Sequence, residues 1–289
     1  MIGARSKAAL LRGIVALAVP LILLPPAQAA EPKDGWFPLG PGAEGNILSK
    51  TTTDDPLELQ TDGPLDIEFN HIDVAPKGTT GLVARQGMLV VGVATGTATV
   101  MSPEADRCGS RTVAAGSALI QPAGTVSEIR NEGSGKLELY AVSLTASGLS
   151  AAGTPPPGPC EATEPGGVRT ETLNHSVIEA PLTAESKGTS DVIVGAARLA
   201  PRGRLDWHTQ HRPLLAGVEK GDLGLHLDHG GRCDLTVYPP KAGFYEPPDM
   251  VHEVRNDTDS PGLFYVLVFA ESPRPFLAPA APPEGCEKS

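Results

Sequence analysis

The sequence predicts an all-β protein built from two tandem domains, each a β-sandwich or small β-barrel, joined by a Pro-rich linker. Three observations support this prediction. The chain has 289 residues, a length typical of about two domains. It contains 33 Gly and 29 Pro, which favour short strands and turns over long helices. It also repeats itself: 20 of the 93 residues from 48 to 140 are identical to the residue 125 positions later, whereas unrelated sequences share about 7%.

The first 29 residues are predicted to be a signal peptide that does not belong to the fold. Arg5, Lys7 and Arg12 precede the apolar run 14–24, and a small-x-small cleavage pattern ends at Ala29. The apolar run is short for a helix that spans a bilayer, and an uncleaved N-terminal membrane anchor is the alternative. We therefore expect a secreted or extracytoplasmic protein without stable membrane insertion after cleavage.

Strand patterns recur in both repeats and place the domains along the chain. Residues 263–269 form an apolar run, and residues 223–227 alternate between Leu and other residues, as half-buried strands do. We expect the first domain over residues 30–152 and the second over 168–289. Between them, residues 153–167 contain a Pro-Pro-Pro-Gly-Pro run, which cannot pair regularly and predicts a stiff linker.

The composition excludes several classes of partner. The net charge is −11 and no basic block is present, so neither nucleic acid nor an anionic membrane surface is an expected partner. Hydrophobic residues make up 40% of the chain, which is enough to form packed cores and argues against a disordered protein. The sequence is compatible with a homo-oligomer.

The four cysteines fit an exported protein in an oxidising compartment. Cys108 and Cys160 are 52 residues apart, and Cys233 and Cys286 are 53 apart at equivalent places in the repeat. The repeat therefore predicts the disulfides Cys108–Cys160 and Cys233–Cys286, each within one domain. Pairing across the domains is the main alternative. A four-thiolate metal site is a weaker hypothesis, because such sites use closely spaced pairs and every cysteine here is isolated.

Two stretches of the second repeat contain the candidate chemistry. One is Trp207-His208-Thr209-Gln210-His211, and the other runs from Pro247 through His252 to Asn256. They resemble the two motifs of the cupin superfamily, G…HxH…G and PxGxxHxxxN, with Asp249 where the Gly of the second motif is expected. The resemblance implies small double-sheet β-barrels whose motif histidines bind one divalent metal. The chain then looks like two tandem cupin-like barrels, that is, a bicupin.

The match to the first motif is incomplete, and this leaves the metal ligands open. The second histidine of that motif falls on Gln210, and His211 is one residue further on. On a regular strand His208 and Gln210 face the same side and His211 the other, whereas a β-bulge would bring His211 back. The candidate ligands are His208 and His252 with Gln210 or His211 as the third. The expected cofactor is one divalent transition metal (Zn, Fe, Ni, Mn or Cu), and hydrogen-bonded core histidines without a metal are the alternative.

The equivalent positions of the first domain carry no histidine. Val83, Arg85 and Ser127 stand where the second domain has the candidate ligands, so we expect the first barrel to be structural and to hold no metal. Trp207 and Tyr245 are candidates for lining a ligand pocket in the second barrel, and packing in the core is the alternative for both.

No carboxylate is expected beside the candidate metal ligands. Glu219 and Glu253 are predicted to lie outside the ligand face. Glu253 with Arg255, and Glu128 with Arg130 in the first repeat, are predicted to form exposed ion pairs of little consequence. A metal enzyme needs an acid or base near open coordination positions, and this absence favours binding over catalysis.

Two functional hypotheses follow from the sequence. The first is an exported bicupin that binds a small molecule and one divalent metal in its second barrel. The alternative is a metal-dependent cupin enzyme, an oxygenase, isomerase or decarboxylase, that acts on a small polar substrate. The motifs do not decide whether the protein is an enzyme, because the cupin fold hosts many reactions.

Overall fold

The computed structural model describes residues 39–228, 232–271 and 276–286. The predicted signal peptide, residues 1–29, lies outside these ranges. The described residues are all-β and contain no helix. Accordingly, no helix with the length and apolarity needed to cross a membrane is found in the described part of the chain.

Each half of the described chain forms eleven strands in the same order. Those of the first half are β1 (Ala43–Thr53), β2 (Leu57–Thr61), β3 (Leu65–Thr79), β4 (Val83–Arg85), β5 (Met88–Thr95), β6 (Thr97–Glu104), β7 (Arg107–Ala114), β8 (Ala118–Gln121), β9 (Val126–Arg130), β10 (Leu137–Ala146) and β11 (Ala152–Gly153). Those of the second half are β12 (Gly166–Ile178), β13 (Leu182–Ser186), β14 (Ser190–Leu199), β15 (Arg204–Thr209), β16 (Leu214–Lys220), β17 (Leu223–Asp228), β18 (Cys233–Tyr238), β19 (Ala242–Glu246), β20 (His252–Arg255), β21 (Gly262–Ala270) and β22 (Ala278–Pro279). The sequence repeat therefore corresponds to a repeat of strands.

The two halves exchange their first strands. β1 of the first half pairs antiparallel with β14 of the second, from Ala43 opposite Leu199 to Thr53 opposite Ser190. Reciprocally, β12 of the second half pairs antiparallel with β3 of the first. β2 and β13 pair with each other in a separate two-stranded sheet. Each half is thus completed by a strand that belongs to the other half in sequence.

Two layers of strands enclose a core in each half. The large sheet runs β1-β14-β21-β16-β19-β12-β3-β10-β5-β8 through both halves. In the second half, the sheet β18-β17-β20-β15-β22 packs against it, and the second core, with Leu214, Val254 and Phe264, lies between the layers. The first core, with Leu89, Val91 and Ile129, is placed in the same way in the first half.

A third core lies between the halves and arises from the two-residue period of the strands. Leu89 and Val91 on β5 face the first core, and Val90 between them faces the central core. On β16, Leu214 faces the second core and Leu215 the central core. These strands are apolar on both faces because each face covers a different core.

The segment that follows each half is attached to it by a disulfide. Residues 154–165, most of the predicted linker, form no strand, and the Thr163 carbonyl accepts a hydrogen bond from the Leu82 N–H. Cys108 is bonded to Cys160, and Cys233 is bonded to Cys286. These are the two pairs that the repeat predicts.

Candidate metal site

Three strands of the second half bring four polar side chains together inside the barrel. His208 lies on β15, Gln210 directly follows it, Glu246 ends β19 and His252 begins β20. None of these residues is more than 2% exposed. His208 and His252 lie opposite each other in the β15–β20 ladder, with ring centroids 4.2 Å apart. Cross-strand pairing therefore sets the spacing of the two imidazoles.

A β-bulge determines which side chains of β15 face the interior. The register between β15 and β20 shifts between Leu205 and His208. These residues are three apart and would face opposite sides of a regular strand. With the bulge both face inward, where Leu205 packs into the second core. Gln210 follows two residues after His208 and faces inward as well.

His211 is not part of this cluster. Its side chain is 53% exposed, and its Nδ1 lies 2.8 Å from Oδ1 of Asp249 on the surface. The bulge lies before His208, and so it does not turn His211 inward. Of the two alternatives for a third ligand, the structure places Gln210 beside Glu246, with its Nε2 3.4 Å from Oε2 of that carboxylate, and leaves His211 outside.

Backbone carbonyls orient both imidazoles. Nδ1 of His208 lies 2.7 Å from the Asp206 carbonyl oxygen, and Nδ1 of His252 lies 3.2 Å from that of Met250. A carbonyl only accepts hydrogen bonds, so Nδ1 of each ring carries a proton, and Nε2 keeps a lone pair whenever the ring is neutral. One ligand atom from each of His208, Glu246 and His252 lies within 4.8 Å of the others. Metal-binding histidines usually have this ring orientation, in which Nδ1 donates to a carbonyl and Nε2 is left to bind the metal.

The three groups are electrostatically coupled. Burial, and then the neighbouring His252, lower the pKa of His208 to about 4, so His208 is neutral at pH 7. Burial alone would lower the pKa of His252, but the Glu246 carboxylate and the Met250 carbonyl together outweigh it, and the net shift is upward. Nε2 of His252 lies 3.1 Å from Oε1 of Glu246, although not in hydrogen-bonding geometry.

Glu246 is the site residue that the sequence reasoning missed, since it predicted no carboxylate beside the histidines. The alternation of side chains along β19 could have identified Glu246. Phe244 and Glu246 are two residues apart and so share a face, and Phe244 belongs to the second core. An apolar strand with a carboxylate on its buried face indicates a residue with a specific partner.

The two candidate pocket residues have different positions. Tyr245, between Phe244 and Glu246, faces the opposite side of β19, packs against the central core and donates a hydrogen bond to the Thr183 carbonyl at 2.7 Å. The expectation that Tyr245 lines the second-barrel pocket is therefore corrected. Trp207 is buried next to His208, and its carbonyl accepts a hydrogen bond from the Ala280 N–H.

The two glutamates expected in exposed ion pairs are instead buried. Glu128 and Glu253 are each 1% exposed. Glu253 lies close to Arg255 and Arg204. Burial alone would raise the pKa of Glu128. Hydrogen bonds from the side chains of Arg130, Thr79 and Thr163 outweigh burial and lower the pKa overall. The prediction was wrong because each glutamate and its arginine, two residues apart on β9 or β20, were assumed to lie on the solvent-facing side of the strand. In the structure that side faces the interior.

The first barrel has the same geometry with different side chains. Val83 lies opposite Ser127 in the β4–β9 ladder, as His208 lies opposite His252 in the second barrel. The Ser127 hydroxyl donates a hydrogen bond to the Gln121 side chain at 3.0 Å. Gln121 is the repeat equivalent of Glu246. Neither Val83 nor this serine–glutamine pair offers the imidazole or carboxylate of the second barrel.

A second group of candidate ligands lies on β3 and β10. His71, Asp73 and Glu138 have ligand atoms within 4.8 Å of one another and are partly exposed. Lys136 pairs with both carboxylates, at 3.0 Å to Asp73 and 3.6 Å to Glu138. Because a cation of the protein itself already balances this group, we do not assign it a metal.

Comparisons with known proteins show a distant structural likeness. No family model and no curated protein sequence matches the chain. The chain is similar to oxalate decarboxylase from Bacillus subtilis solved at pH 4.6, with 15% identity, coverage of 77% of this chain and 73% of that one, and a TM-score of 0.37. A structure of the same enzyme studied for its Mn(II) centres gives 13% identity, coverage of 80% and 79%, and a TM-score of 0.36. A likeness at this level supports no conclusion about function.

Proposed function

We propose that the protein is an exported bicupin whose second barrel binds one divalent transition metal through His208, Glu246 and His252, with a small molecule as a further ligand of that metal. Gln210 lies beside these donors. In this proposal the first barrel holds no metal and supports the second structurally, because the halves share strands. The metal is one of Zn, Fe, Ni, Mn or Cu.

The convergence of two imidazoles and one carboxylate supports this proposal most directly. Two imidazoles with one carboxylate form a donor set used for Zn and for non-haem Fe. The fit is also indicated by buried polar atoms without hydrogen-bond partners, which include Nε2 of His252 and Oε1 of Gln210. Such atoms are costly to bury, and a cation at the centre of the cluster would satisfy them.

Three protein donors leave coordination positions for a small molecule or water. A bound metal would act as a Lewis acid and polarise an oxygen atom of such a ligand. The chain's own contribution is to hold the imidazoles through the carbonyls of Asp206 and Met250. The cluster is buried, which separates it from bulk solvent.

Export is proposed from two independent features. The two disulfides are typical of an oxidising, extracytoplasmic compartment. The sequence of residues 1–29 has the pattern of a cleavable signal peptide. N-terminal sequencing of the exported protein should find the mature chain beginning near Ala30.

The metal site is tested by elemental analysis of protein purified without chelator or added metal. We expect close to one transition metal per chain. Replacing His208, Glu246 or His252 by Ala should weaken metal affinity, measured by competition with a chromogenic chelator, at least ten-fold, because each change removes one of three strong donors.

His211→Ala is the matched control for these variants. It removes a neighbouring imidazole that is exposed and paired with Asp249, so metal affinity should stay at the wild-type value. Wild-type protein that carries no metal and resists loading would overturn the proposal. Loss of metal in His211→Ala with retention in His252→Ala would also overturn it.

A metal-dependent cupin enzyme is the second candidate, and Glu246 favours it because the site does contain a carboxylate. The burial of the donors does not separate the two candidates: none of the three is more than 2% exposed, so a ligand and a substrate alike reach the metal only if the barrel opens. Spectra of the Co(II)-loaded protein distinguish the two. Small hydroxy acids are added as probes. If the spectrum keeps changing while the acid is turned over, the protein is an enzyme. If the spectral change saturates and no turnover occurs, the protein only binds the acid.

A further inference from the structure

The interior of the first barrel contains a cavity of about 310 Å³. Its walls are mostly apolar and come from the first core, with Leu89, Val91 and Ile129 among them. Ligand pockets in proteins typically have volumes of this order and are lined by apolar groups with a few polar ones. The barrel that lacks metal ligands therefore still has room for a small molecule.

One charged residue lines this cavity. Arg85 ends β4, and its backbone is fixed by hydrogen bonds to Thr125 and Gly124. Its Nε is buried without a hydrogen-bond partner. Burial is the one influence on its pKa, and among the described residues no carboxylate is paired with its guanidinium. Arg85 as a whole is partly buried, and its Nε, which is enclosed without an acceptor, is unfavourable unless an anion joins it.

The charge on Arg85 persists at neutral pH. Burial lowers the pKa of Arg85 to about 10, which still leaves the guanidinium protonated at pH 7. Its repeat equivalent in the second barrel is Gln210, next to the candidate metal ligands. The two barrels thus place a cation at corresponding positions, an arginine in the first and, in our proposal, a metal in the second.

We propose that the first barrel binds a small organic monocarboxylate, with its carboxylate on Arg85 and its apolar body in the cavity. The guanidinium fork matches a carboxylate with two parallel hydrogen bonds. Ser143 and Thr170 add hydroxyl groups to the lining, and the remaining wall is suited to a hydrocarbon or aromatic body. An inorganic anion would leave most of this apolar cavity unfilled. The inference goes beyond the proposed metal site and does not depend on it.

The test uses the complete mature protein with benzoate and hexanoate as probes and benzamide and hexanamide as uncharged counterparts. Isothermal titration calorimetry should show saturable binding of at least one carboxylate and at least ten-fold weaker binding of its amide. Arg85→Met should weaken carboxylate binding at least ten-fold, because it removes the fork and keeps an apolar side chain of similar length. Arg111→Met, at an exposed position on β7, is the matched control and should bind as the wild type does.

Two further variants keep the test decisive. Ala152→Leu narrows the cavity and retains Arg85, so it should also weaken carboxylate binding. His252→Ala should lose metal yet bind the carboxylate normally, which separates this site from the proposed metal site. Absence of binding by the wild type, equal binding of carboxylate and amide, or unchanged binding in Arg85→Met would each overturn the inference. Binding lost in His252→Ala but kept in Arg85→Met would place the ligand in the second barrel and overturn it as well.

Discussion

Asn256 holds together the loop at the end of β20. Its side-chain amide donates to the carbonyls of Leu199, Ala200 and Ser260, and its Oδ1 accepts from the Thr258 N–H. Asn131, its repeat equivalent, makes the corresponding bonds to Val74 and Gly135. The asparagine of the second motif is therefore a structural residue in both barrels, including the one without candidate metal ligands.

Replacing Asn256 by Ala should lower the free energy of unfolding by about 2 to 3 kcal/mol, because the change leaves buried carbonyl groups without donors. Urea denaturation with the disulfides intact measures this loss. Asn46→Ala, at an exposed position of β1, should change the value by less than about 0.5 kcal/mol. Equal effects of the two variants would contradict the structural role.

A single backbone conformation explains one departure from the second motif. Gly124 of the first half has a φ of 85°, in the left-handed region that glycine adopts without strain. At the equivalent position the second half has Asp249 with a φ of 63°. Aspartate tolerates this region better than most residues. Asp249 therefore preserves the backbone turn that precedes His252 and positions it in the site. The Asp249 carboxylate contacts His211.

At the scale of the strands, much of the fold could be read from the sequence and the exchange of strands could not. The offset of 125 residues and the alternation at 223–227 predict repeated β-domains, and the strands recur at that offset. Because the two halves are similar in sequence, a strand that could pair with β3 could equally pair with its repeat equivalent β14. Only the three-dimensional structure distinguishes these pairings.

The site was predicted in part for a related reason. The alternation of His208 and Gln210 is visible in the sequence, and a regular strand would place both inward. The bulge between Leu205 and His208 inserts one extra residue into β15, and no sequence pattern predicts it. This bulge determines which side chains of β15 point toward the core. Glu246 was missed because it lies one residue before the second motif begins at Pro247, although the strand alternation indicated it.

Because of the strand exchange, neither half should be stable alone. A chain of residues 39–165 lacks β12, so β3 presents an unpaired edge over most of its length, and β1 loses its partner β14. We expect this fragment to aggregate or to lack a cooperative unfolding transition, as followed by circular dichroism. Residues 39–289 should unfold cooperatively under the same conditions. A monomeric, cooperatively folding 39–165 fragment would contradict this prediction.

For the whole molecule, the two disulfides are expected to contribute similar stability. They close loops with separations of 52 and 53 residues. In the chain-entropy model each such loop contributes about 4 kcal/mol. The variants Cys108→Ser with Cys160→Ser, and Cys233→Ser with Cys286→Ser, should therefore lower the free energy of unfolding by comparable amounts in urea denaturation.

Peptide mapping under non-reducing conditions tests the pairing that this argument assumes. Two linked peptides are expected, each with both cysteines from one half. A Cys160–Cys286 link, or free thiols in the exported protein, would contradict both the pairing and the expected equality of the two contributions.

The pairing of β2 with β13 has a consequence for the origin of the molecule. Leu59 lies opposite Ala184, which is its own equivalent 125 residues later. A residue that pairs with its own counterpart marks a two-fold axis, and the bulges after Ile47 and Thr172 are related by the same offset. This is the self-complementary interface of a symmetric homodimer, contained here in one chain. Fusion of two identical subunits would have freed the two sites to diverge, so that one could retain its histidines while the other acquired Arg85.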